Sequence, residues 1–361
     1  MSEDKLQSEL NIQKASEESA PEEVKIAFSG MIADKPKKKF GVYQVLQLVF
    51  TLGFVIFTGL LINETLITPY RINHSIQKTK ALHISSSNTS QASNIRKVTA
   101  IPTPDPNRDS QGRLLQFKNL LAANEDVKGW ITIPDSNIDY VVMQSGTDDP
   151  EFYLNRDMDK KELKAGSLFL DYKSSVETSS KNLTIHGHNM TSTDNMFHYL
   201  IKYKEPDYYK ERPIITFDTI YQTGKWKIFA VFITNGTSDK EDLFNYTLAD
   251  FHDTSAFLNF IYQLRIRSIY QIDNVDIKEN DQLLTLSTCS YEVKNYRTVI
   301  VARRVREGEN EAVDVNSVTI NPEPLYPDSY YYRYGGKAPE LPSTFEEALS
   351  EGVIHWYTAV E

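Results

Sequence analysis

Cysteine is almost absent from this chain. Cys289 is the only one among 361 residues, which excludes an internal disulfide and a multi-cysteine metal site. For that thiol there remains an inert core position or a nucleophile. An excess of positive charge is also missing. Lysine and arginine number 39 against 49 acidic residues, a net charge of −10, which argues against a nucleic-acid footprint. Long apolar runs are lacking except for one, Val42–Ile62, 21 residues without a charge. Its length suits a helix crossing a bilayer core. No internal repeat is present.

The charge that is there is uneven. Met1–Asp34 holds eight acidic residues against three lysines and reads as a disordered tail. Lys35, Lys37, Lys38 and Lys39 follow and favour a cytoplasmic N-terminus. A cleaved signal peptide does not fit, because its charged region would run for about forty residues. The expected organisation is a cytoplasmic tail over 1–41, a transmembrane helix over 42–62 and an extracellular linker over 63–108. A folded domain over 109–305 and a C-terminal extension over 306–361 complete the chain. The linker is rich in Ser, Thr, Asn and Gln. The scarcity of cysteine fits an exported protein that does not rely on disulfides.

In the folded domain, Leu114, Leu115, Phe117, Leu120 and Leu121 recur at helical spacing, with Asp109 or Ser110 as a candidate cap. Gly129–Pro134 then switches to period two, and Ile138–Met143 is a second strand after a turn. Further strands are expected at Ser167–Asp171, Leu183–Gly187, Ile214–Phe217, Lys225–Ile233, Gln282–Thr288 and Thr298–Arg304. One amphipathic helix is expected over Thr254–Ile266. This is a mainly β pattern, a barrel or a sandwich.

Cys289 ends the strand-like run Gln282–Thr288, and Arg297 follows eight positions later. A catalytic cysteine needs a base or cation to form thiolate and a donor for the oxyanion. His186 and His188, in Ile185-His186-Gly187-His188-Asn189-Met190, offer the base. Extended, they would share a face, but no third ligand is spaced nearby to make a metal site.

Thr285–Cys289 with Arg297, and His188 in Gly187-His188-Asn189-Met190, resemble the sortases, membrane-anchored cysteine transpeptidases of Gram-positive bacteria. The resemblance covers roughly Leu114–Val305. Gly129-Trp130-Ile131, Ile138-Asp139-Tyr140, Phe152–Asp157 and Gly166–Asp171 are most similar to class B. It implies a sortase-type closed β-barrel with peripheral helices behind one transmembrane helix, and a catalytic domain outside the cell. It implies Cys289 as nucleophile, His188 as the proton-transfer residue, and Arg297 as the group holding the substrate carbonyl. Arg303 and Arg304 compete for that last role from further along the strand. Leu154, Ser287 and His186 match positions lining the peptide groove; position 186 is often Tyr in the family.

The implied partners are surface proteins bearing a sorting signal and an amine nucleophile from a peptidoglycan precursor or a pilin. No cofactor or metal is implied. The alternatives are a cysteine peptidase that only hydrolyses and a catalytically silent, anchored surface-binding protein. In the extension, Leu341-Pro342-Ser343-Thr344 looks like the start of a sorting signal. Chance recurrence of a short motif is the default reading; the two readings left open are a tethered segment occupying the groove beside Cys289 as an inhibitor and an extension packed on the barrel far from it.

Overall fold

The structure, a computed structural model, describes residues 41–90, 105–236 and 243–358. The acidic tail and its lysine cluster lie outside the described residues. Two compact units are present, divided after Asn63.

In the first, α1 (Val42–Ile62) buries none of its side chains. By length and composition it is able to cross a membrane. Thr51 and Thr58 donate their hydroxyls to the Gln47 and Phe54 carbonyls at 2.8 Å, so these two polar groups on the apolar helix are satisfied internally.

The second unit, Glu64–Glu361, is built on a closed barrel. Its strands are β1 (Val127–Thr132), β2 (Asp139–Met143), β3 (Leu168–Leu170), β4 (Asn182–His186), β7 (Ile214–Thr219), β8 (Lys225–Asn235), β10 (Leu283–Cys289) and β11 (Tyr296–Arg304). They close in the order β1-β2-β3-β4-β10-β11-β8-β7. The pairs β2–β3 and β4–β10 are parallel, and the other pairs are antiparallel. A hairpin of β5 (Asn189–Met190) and β6 (Asn195–Met196) follows β4. A second short pair joins β9 (Tyr270–Gln271) to β12 (Thr319–Ile320).

The strands lie within two residues of their expected ends. β7 alternates half-buried and buried positions as a one-sided strand should, whereas β8 is buried at every residue after Lys225. The reason is cover on both faces. One face lines the barrel, and the helix Thr254–Arg267 packs on the other with Phe257, Phe260, Ile261 and Leu264 buried. Asp109 is no helix cap. Its carboxylate instead accepts from the Gln111 and Arg113 amides at 2.9 Å, closing a turn before the short helices Leu115–Phe117 and Lys118–Ala123.

One stretch differs from expectation, the supposed linker over 63–108. Its described part, after the π-helical turn Asn63–Ile67, is α2 (Thr68–Ser90). Ile72, Ile76, Thr79 and His83 recur at helical spacing, and Ile72 is fully buried. His83 stacks on Trp130 at 4.1 Å. Lys80 pairs with Asp139 at 2.7 Å, Lys78 pairs with Asp159, and Arg71 donates to the Glu162 carbonyl. The exposed ion pairs add little; the apolar stripe gives this helix its reason to dock. Residues 91–104 lie outside the described residues.

In the extension, Leu341–Thr344 does not enter the groove that holds Cys289. The Pro342 and Ser343 carbonyls accept from Tyr262 and Gln263 at 2.7 and 3.1 Å, which ties the segment to the helix Thr254–Arg267. Thr344 caps the helix Phe345–Ser350 in a capping box with Glu347. The segment that looks like a sorting signal is therefore a helix start. Phe345 is buried with its ring 5.8 Å from Trp356 and 5.2 Å from Tyr357. Phe345→Ala should cost about 3 kcal/mol of stability, read as a lowered midpoint in denaturant. A change near zero would mean the extension is loosely held.

Candidate active site

The site is assembled where β4 and β10 end side by side. In β10, Ser287 and Cys289 point to one face, as alternate residues of a strand must. The ladder with β11 places Cys289 directly opposite Arg297, a spacing of about 5 Å between Cβ atoms. The ladder with β4 places Ser287 beside His186. Beyond the last β4–β10 pair the two chains stay stitched together. The Gly187 amide donates to the Ser287 carbonyl at 3.2 Å, and Thr288 Oγ1 donates to the Gly187 carbonyl at 2.8 Å. A Cβ on Gly187 would lie 2.3 Å from Leu168 Cδ2 and 2.8 Å from Phe197 Cδ2, so only glycine lets the histidine segment run this close to the barrel wall.

Cys289, His188, Arg297, Leu154, Ser287 and His186 all line one groove of about 350 Å³. The structure thus brings every expected site residue together. Arg303 and Arg304 are not among its lining residues. Arg303 is buried near the far end of β11 and binds Glu309 at 2.8 Å, so its charge is already committed.

The two histidines differ in what they hold. His186 Nε2 lies 3.0 Å from Asp171 Oδ2, with the ring against Phe169. Burial alone would raise the Asp171 carboxyl; hydrogen bonds from His186 and from the Lys173 amide hold it below its ordinary range. The His188 ring hydrogen-bonds the Leu154 backbone, while its Nε2 is buried without a partner among the described residues. That leaves Nδ1 on the Leu154 carbonyl and Nε2 to meet a substrate. Burial lowers the His188 pKa below 6.5, the Leu154 bond opposes this, and the Arg297 cation reinforces it.

Arg297 is half-buried. Its Nη1 donates to the Tyr296 carbonyl at 3.2 Å and, weakly, to the Asn295 carbonyl at 3.5 Å. Among the described residues no carboxylate pairs with it, so the guanidinium keeps donors for a ligand. Gly236 leaves room for this side chain, since a Cβ there would sit 2.9 Å from Arg297 Cγ and Cζ.

Sequence reasoning missed three residues. Asp171 stood within a segment already matched to the family, and Asn189 within the histidine motif. Tyr246, whose hydroxyl lies 2.9 Å from Ser287 Oγ, carries no local signal. It reaches the groove from the segment between β8 and the helix Thr254–Arg267.

A thiol, an imidazole with an unpartnered ring nitrogen and a cation in one groove suit cysteine acyl-transfer chemistry. Residues 131–305 match the sortase domain model. The chain is 34% identical over 181 residues to sortase B of Listeria monocytogenes, covering 50% of this chain and 69% of that protein. It is 30% identical over 193 residues to sortase B of Staphylococcus aureus, covering 53% and 75%. Sortase B from Bacillus anthracis in complex with AAEK2 superposes with a TM-score of 0.54 at 25% identity, covering 66% of this chain and 97% of that one. A Staphylococcus aureus sortase B–substrate complex shares the fold, with a TM-score of 0.54 at 24% identity over 66% and 99%. The chain belongs to the sortase family as a class B sortase, a cysteine transpeptidase. Sortases are membrane-associated, and α1 is the candidate span among the described residues.

Proposed function

We propose that this sortase cleaves a C-terminal sorting signal after threonine and joins the surface protein to an amine of the cell wall or of another protein. The observation that carries the reading is the shared groove in which Cys289 faces Arg297 and His188 presents an unpartnered Nε2.

The lowered pKa makes His188 neutral at pH 7, able to take the Cys289 proton. The thiolate Sγ bonds to the threonine carbonyl carbon, and Arg297 donates to the oxyanion. As that intermediate collapses, the C–N bond breaks and His188 protonates the leaving amine. The incoming amine gives its proton to His188 and attacks the thioester, and Sγ leaves. Leu154, Ser287 and His186 line the peptide-binding part of the groove. The lysines before α1 support a cytoplasmic N-terminus and an external barrel. Protease added to wall-stripped cells should then digest the barrel side; its protection would reverse the topology.

The full chain in detergent, given peptides with Leu-Pro-x-Thr or Asn-Pro-x-Thr signals and triglycine, should yield the joined product. A free carboxylate as the sole product would make the enzyme a hydrolase. Arg297→Lys should lose about 10²-fold in kcat, because a point charge cannot reproduce the planar fork. Full activity with lysine would remove Arg297 from the oxyanion role.

A further inference from the structure

Asn189 follows His188 but is not among the residues lining the groove, and it is only 7% exposed. Its Nδ2 donates to the Cys289 carbonyl at 3.0 Å, across a sequence separation of 100 residues. A carbonyl only accepts, so this contact fixes the orientation of the amide. Oδ1 therefore faces His198 Nδ1 at 2.6 Å, and His198 Nδ1 must carry the proton. The other ring nitrogen, Nε2, lies 3.3 Å from Asp194 Oδ1.

The surrounding backbone is equally tied. Asn189 pairs with Met196 in the β5–β6 hairpin. The Phe197 amide donates to the His188 carbonyl at 2.9 Å. Tyr291 donates its hydroxyl to the Asn189 carbonyl at 3.3 Å. These contacts lie where the regular ladder gives out, since the last β4–β10 pair is His186–Ser287. Past that pair, the Gly187 amide and the side chains of Thr288 and Asn189 hold the ends of the two strands together.

We propose that Asn189 is a positioning residue for the acyl-transfer step. Its amide locks the Cys289 backbone to the segment carrying His188, and the His198 Nδ1 donor holds that amide in orientation. The inference rests on Cys289 acting as the nucleophile. Asn189 touches no reacting atom. It acts by keeping Sγ and His188 Nε2 in mutual reach, a geometry whose loss by about an ångström costs up to about 10²-fold in rate.

The test compares Asn189→Asp, Asn189→Ala and His198→Ala in the full chain in detergent, with thermal unfolding to confirm that each is folded. Aspartate keeps the shape of asparagine, but at pH 7.5 it turns an acceptor toward the Cys289 carbonyl. Asn189→Asp should lower kcat for the peptide-plus-triglycine reaction by about tenfold or more, with KM within about twofold. It should also speed amide hydrogen exchange in the Thr288–Ser290 segment by about tenfold. His198→Ala should show the same pattern more weakly. If Asn189→Ala unfolds, the two other variants decide. A folded Asn189→Asp enzyme with wild-type kcat and exchange would overturn the proposal, as would a loss confined to KM. Absence of product from the wild type would instead count against the transpeptidase reading, and the exchange measurement would still decide whether Asn189 locks Cys289.

Discussion

Cys289→Ala should abolish acyl transfer, leaving a rate at least about 10³-fold below wild type. Mass spectrometry offers a clear readout, because Cys289 is the only cysteine. The wild type should gain the mass of the acyl fragment during turnover, and the variant should gain none. Iodoacetamide labelling should fall from one adduct to zero. The loss should be chemical rather than structural. Cys289 is half-buried at the end of β10, and its small side chain leaves no large cavity when shortened to alanine. Stability should therefore change by less than about 1 kcal/mol. Transfer persisting in the alanine variant would mean that another group attacks the peptide, and the groove would need a different reading.

The second large effect separates the two histidines. His188→Ala should lower kcat by about 10³-fold, the usual scale for removing a general acid–base group. His186→Ala should stay within about tenfold of wild type. The asymmetry follows from their partners. His186 Nε2 is already taken by Asp171, whereas His188 Nε2 has no partner. His186 and Asp171 do form a base-and-orienter pair, so the comparison has a real competitor to eliminate. An essential His186 with a dispensable His188 would transfer the role to that pair.

The pH profile gives an independent reading of the same assignment. Burial and the Arg297 cation lower the His188 pKa, so its neutral form persists below pH 6.5. Protonation removes the base, and the acid limb of kcat/KM should therefore fall below pH 6.5. Arg297→Gln removes a repelling charge and should move that limb upward. A limb above 6.5 in the wild type would assign it to another group.

Much of the barrel was legible because its strands announce themselves locally. β10 and β11 are short apolar or β-branched runs with turn residues between them, and their ends were read within two residues. The residues of the groove were legible through motifs at strand ends. The geometry that unites them was not, because it depends on the parallel β4–β10 pairing of segments about a hundred residues apart. Tyr246 was invisible for the same reason. α2 was misread because its polar composition resembles a linker, while the partners of its apolar stripe and its lysines lie far along the chain. The extension was left without a role for a different reason. The capping box Thr344-Phe345-Glu346-Glu347 was present in the sequence, but Leu341–Thr344 has a second meaning as a peptide signal, and local pattern alone does not choose between them.

The β10–β11 register has a consequence for how such an enzyme can vary. Seven consecutive residue pairs hold the two strands, and Cys289–Arg297 is the outermost of them. The distance between thiol and guanidinium is thus set by the ladder beneath, independently of the length of the turn that follows. Natural drift or deliberate grafting can lengthen the connection over 290–295, reshaping the lip of the groove while Cys289 and Arg297 keep their spacing. Removing a single residue within β10 has the opposite outcome. Every side chain beyond the deletion changes face, and the thiol turns into the barrel wall. Diversity in this hairpin is therefore expected to accumulate as loop insertions, with strand length held constant.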